Sequence, residues 1–148
     1  MLKGRGVCIR FLKLNAISLI YAIMMLIPAE FILNTYRIHR ITGWSFETLD
    51  IISLVSIGAV AIVGTGLVYI LTKKWFSNSY IRFWTMLLWL PYHILLIYLT
   101  SNLLPFSYEG DNPSPATGLL MLGALFFYPF YILLVNMCIF PSDEQVRT

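Results

Sequence analysis

Four stretches of this sequence, approximately residues 14–33, 51–72, 83–104 and 118–140, are almost continuously apolar. At about 1.5 Å of rise per residue, each makes a helix of about 30 Å or more, enough to cross the hydrocarbon core of a bilayer. Hydrocarbon offers the backbone no water, so such a run must satisfy its own N–H and C=O groups as a helix. The alternation that marks a β-barrel strand is absent. Only 11% of the 148 residues are charged, and the mean hydropathy is +0.79, so the chain lacks the polar surface that a soluble domain of this size needs. The same figures exclude intrinsic disorder. The sequence therefore predicts an all-α integral membrane protein, a compact four-helix bundle in one domain over residues 1–148. No internal repeat is visible.

The basic residues set a direction. Lys3, Arg5, Arg10 and Lys13 precede the first span, Lys73, Lys74 and Arg82 lie between the second and third, and Arg147 follows the fourth. Arg37 and Arg40 alone fall on the opposite side, and the connection from Pro105 to Thr117 has no basic residue. The positive-inside rule then puts both termini in the cytoplasm. Spread over the edges of apolar runs, these bases form no dense patch for nucleic acid. The first apolar run, about 20 residues, exceeds the 7–15 of a secretory signal, and no A-x-A-like site follows it, so it reads as a retained helix. Short tails and the absence of an N-x-[ST] acceptor point to a bacterial cell membrane.

Ionisable residues within a span are the first places to look for function, because an unpaired charge there is costly. His93 falls about 16 Å along the third span, counted from Arg82 at helical rise. Pro91 frees the carbonyl of Leu87, so that carbonyl, the imidazole and Thr100 are candidates for a proton or ligand site. The commoner use is a neutral imidazole hydrogen-bonded to a neighbouring helix. Glu30 lies near the outer boundary, with Asn34 and Arg37 at i+4 and i+7, and reads as a structural pair at an interface. His93 and Glu30 differ in depth by roughly 10 Å at helical rise and are not expected to touch.

Gly58, Ala61, Gly64 and Thr65 follow at i, i+3, i+6 and i+7, a small-residue strip that permits close approach of another helix. That helix belongs to this chain, to another membrane protein or to a second copy. Pro28, Pro91 and Pro129 read as kinks that improve packing, and the bulky run from Phe126 to Tyr131 as core and lipid contact. In the long connection from Asn34 to Asp50, Ser45 or Thr48 is placed to cap the second helix. Glu109 and Asp111 read as a solvated acidic loop.

Enzyme templates fail in turn. There is no nucleophile elbow, no H-E-x-x-H and no glycine-rich phosphate loop. Cys8 and Cys138 stand alone, and His39 and His93 lie too far apart in depth to share a metal. No cofactor or metal is expected, and no nucleic-acid partner. The expected function is non-enzymatic, an auxiliary, regulatory or immunity-type role exercised through helix or outer-loop contacts within membrane lipid. The alternative is a small proton-coupled transporter, working as a homo-oligomer and using His93 and Glu30.

Overall fold

The computed structural model describes residues 2–76, 79–105 and 108–139. Every regular element among them is helical. Helix α1 spans Leu2–Leu33 and α2 spans Thr35–Thr42. Helix α3, Phe46–Ala59, runs through a π-helical turn at Val60–Gly64 into α4, Thr65–Phe76. A 3₁₀ turn at Tyr80–Trp84 leads into α5, Thr85–Leu103, and another at Glu109–Asp111 precedes α6, Pro115–Met137. Four of these stretches are long and apolar enough to cross a membrane: Val7–Leu33, Phe46–Phe76, Tyr80–Leu103 and Pro115–Met137.

The helices extend beyond their apolar runs because polar residues cap them. Ser45 Oγ accepts from the Thr48 amide at 3.2 Å and starts α3. Ser114 does the same for Thr117 at 3.2 Å, with Pro115 in the first turn of α6, where its missing N–H costs nothing. Helix α6 ends at Met137, short of the expected residue 140: Cys138 forms a turn whose N–H returns to the Leu134 carbonyl and Ile139 is irregular, and residue 140 itself lies outside the described residues.

The connection expected between residues 34 and 50 is mostly helical. Asn34 barely interrupts the chain: its amide N–H donates to the Glu30 carbonyl at 3.0 Å, and its own carbonyl accepts from Ile38 at 2.8 Å. Helix α2 stops at Gly43, whose φ of 72° is left-handed and whose N–H returns to the His39 carbonyl at 2.8 Å. A side chain there would strain this backbone, so glycine sets the turn.

Helix α1 is the hub. It packs chiefly on α5 and touches α3, α4 and α6 as well, and 39% of its most apolar window is buried against 11–17% in the other three spans. Ile17, Tyr21, Trp89, Ile132 and Val68 meet in the core. Near the Lys73 end, α6 packs on both α4 and α5, whereas the α6 and α3 backbones stay apart, with no Cα pair within 8 Å among the described residues. The bundle is therefore closed at one end and parted at the other.

Candidate functional site

Interhelical hydrogen bonds tie the packed pairs together. Tyr92 Oη donates to Asn15 Oδ1 at 2.7 Å, joining α5 to α1. Tyr128 Oη donates to the Tyr21 carbonyl at 2.7 Å, joining α6 to α1. Thr65 and Tyr131 share a hydroxyl contact of 2.5 Å between α4 and α6, and Asn136 Nδ2 donates to Thr85 Oγ1 at 3.1 Å between α6 and α5. In an apolar medium such bonds hold register, although each is worth only about 0.6 to 2 kcal/mol.

His93 belongs to this set. It is buried, its ring lies 5.5 Å from that of Trp89, and its Nδ1 is 3.3 Å from the Ala22 carbonyl of α1. Donation to that carbonyl requires the proton on Nδ1. Thr100 is not drawn into the same group, since its hydroxyl donates back to the Ile97 carbonyl at 3.0 Å. Glu30 Oε2 accepts from Asn34 Nδ2 at 2.8 Å. Eight residues separate Ala22 from Glu30, about 12 Å at helical rise, so the imidazole and the carboxylate sit at different depths.

The four small residues of the second span do not share one face. A Cβ on Gly64 would fall 2.6 to 2.8 Å from the side chain of Met24, so this glycine is where α1 approaches closely. Thr65 turns to Tyr131 and to the Ala61 carbonyl. Ala61, though exposed, borders the same space beside Met24 and Tyr131, whereas a Cβ on Gly58 would meet nothing within 4 Å. The departure of Gly58 falls just ahead of the π-helical turn at Val60–Gly64. The wider winding of such a turn sets the faces before and after it out of register, so an even i+3, i+4 pattern no longer tracks one surface.

Polar chemistry concentrates instead at the α2 end, where the sequence predicted a solvated loop. Asp111 is 1% exposed in its side chain. Arg40 grips it with a two-pronged pair, Nε to Oδ1 at 2.8 Å and Nη2 to Oδ2 at 2.6 Å, across 71 residues of chain. The same guanidinium lies over the Tyr108 ring at 5.2 Å. Arg37 Nη1 donates to the Leu104 carbonyl at 3.0 Å and Nη2 to that of Pro105, while its Nε is 3.9 Å from Asp111. Arg37 thus places a cation at the C-terminal end of α5, where the helix dipole favours one. The hydrogen bonds from Arg40 hold the Asp111 carboxyl below the usual carboxylate range, with its charge and that of Arg37 acting the same way against the cost of burial.

The neighbouring side chains lock the turn beneath this clamp. His39 Nδ1 is 2.6 Å from the Trp44 carbonyl, and its ring stacks on Phe46 with centroids 4.2 Å apart. No group of three or more His, Cys, Asp or Glu side chains is arranged to hold a metal among the described residues. Cys8 and Cys138 are free thiols. The clamp escaped sequence reasoning because a charge pair 71 residues apart has no local spacing. Its signal was nonetheless present: Arg37, Arg40, Glu109 and Asp111 are all assigned to one side of the membrane.

The chain matches no protein-family model, and no curated protein or solved structure resembles it at a significant level.

Proposed function

We propose that this is a non-enzymatic, multi-pass protein of a bacterial cell membrane, with both termini cytoplasmic, that acts through its helices or its external cap in an auxiliary, regulatory or immunity-type role. The cap is the observation that carries the reading. Arg40 and Asp111 fix α2 against the connection between α5 and α6, so the surface beside it, including the exposed Trp44 and Tyr108, is presented in one shape. A preorganised surface loses little freedom on meeting a partner. The orientation rests on Lys3, Arg5, Arg10, Lys13, Lys73, Lys74 and Arg82 facing Arg37 and Arg40 across the bilayer.

Within the bundle His93 sits between the Trp89 ring and a backbone carbonyl, which favours a bridging role over a cycling proton carrier. Reconstituted vesicles with an imposed proton gradient test this choice. Wild-type protein is expected to move no more protons or cations than protein-free vesicles. A flux that His93→Gln abolishes without loss of folded protein would overturn the reading in favour of a proton-coupled transporter.

A further inference from the structure

A cavity of about 290 Å³ lies between α1, α6 and the junction of α3 with its π-helical turn, in the half of the bundle nearer α2. It exists because the α3 and α6 backbones stay apart there. Met24, Pro28, Val60 and Ala124 form apolar walls, and Tyr128 and Tyr131 close one end. The hydroxyls of both tyrosines are committed, Tyr128 to the Tyr21 carbonyl and Tyr131 to Thr65. A polar occupant would lose its hydrogen bonds to water and find no replacement in such walls.

The mouth selects the occupant further. Ile57, Ala61 and Leu120 line the cavity and are themselves exposed, so it opens on the outer surface of the bundle. In a membrane-spanning bundle that surface is covered by lipid chains, so the opening is continuous with the hydrocarbon and not with water. The space is about ten times the roughly 30 Å³ that one water takes in the liquid, large enough to admit a segment of a hydrocarbon chain. Met24 and Met25 adapt their shape to an irregular guest. We propose that the cavity is a binding site for one acyl chain of a bilayer lipid, entered sideways between α3 and α6. This rests on the membrane reading above.

Trp89 supplies the test. It is 2% exposed, so annular lipid does not reach it, yet its ring packs edge-on against Tyr128 at 4.8 Å. A variant with Trp44, Trp75 and Trp84 changed to Phe leaves Trp89 as the sole reporter. In bilayers of phospholipid brominated in mid-chain, its fluorescence is expected to be quenched. Ala124→Phe, which fills the cavity, is expected to remove most of that quenching, whereas Leu122→Phe on the exposed face leaves it intact. Thermal unfolding of each variant in detergent checks that the bundle is retained. Absent quenching of Trp89, equal quenching with and without Ala124→Phe, or quenching relieved only by raising the ratio of protein to lipid, as a second copy filling the gap would cause, each overturns the proposal. A tryptophan-free background carrying Ile94→Trp, on the exposed face of α5, isolates the membrane reading, because its quenching requires only that the bundle lie in lipid.

Discussion

On the α5 side of α1, Ile17, Tyr21, Trp89 and His93 are buried, and two hydrogen bonds, from Tyr92 and His93, cross the interface. On the α3 side, Met24 and Pro28 line a cavity, and Gly64 of the π-helical turn comes up close against Met24. The same helix, with nearly uniform hydropathy around it, therefore has a packed side and a parted side. Composition does not distinguish them, because lipid tails are as apolar as leucine and apolarity alone gives helices no reason to meet. What separates the two sides is side-chain shape and the few polar atoms that need a partner.

The largest effect should come from emptying the packed side. Trp89→Ala removes an indole buried against Tyr128 and should destabilise the bundle by about 3–5 kcal/mol, read from denaturant unfolding in mild detergent. Overpacking the close approach at Gly64 comes next. Gly64→Leu forces Met24 away and should cost about 1–3 kcal/mol, whereas Gly123→Leu, where a Cβ meets nothing within 4 Å, should be nearly neutral. Equal tolerance at the two glycines would erase the distinction between the sides.

The cap adds a pH-dependent contribution. Because Asp111 ionises more readily in the folded state, its stabilisation is complete above the unfolded carboxylate value of about 3.9 and fades as pH falls through the lower folded one. Asp111→Asn should therefore lower the melting temperature at neutral pH by several degrees, with the difference from wild type shrinking in strong acid. A constant difference down to the lowest pH would assign the loss to packing and not to charge. The smallest effect is expected at His93, where Gln keeps a donor toward Ala22 and Leu removes one bond worth about 1 kcal/mol. Unfolding curves for the two variants would separate them, with Gln close to wild type.

Much of this was legible in the sequence, and the exceptions have physical causes. The four spans and the capping of α3 by Ser45 follow from local pattern, since hydropathy and capping act over a few residues. Helix α2 reads in the sequence as a connection because Thr35–Thr42 is too polar for a span, and its left-handed stop at Gly43 shows only in the backbone. The strip from Gly58 to Thr65 assumes an ideal helix and loses Gly58, which faces open space ahead of the π turn. His93 was visible as an intramembrane polar residue, but its partner is a backbone carbonyl, which carries no sequence label. Asp111 reads as solvated because loops usually are, and its two arginines lie in a different connection.

The central claim is a four-span bundle whose Arg40–Asp111 cap faces away from the cytoplasm, and cysteine labelling in intact cells tests it most directly. In a background with Cys8 and Cys138 changed to Ser, an impermeant maleimide should modify Asn112→Cys, an exposed neighbour of the clamp. It should modify Lys74→Cys only after the cells are opened. Labelling of Lys74→Cys in intact cells, with Asn112→Cys protected, would invert the bundle; labelling of both positions or of neither would contradict the span between α4 and the cap.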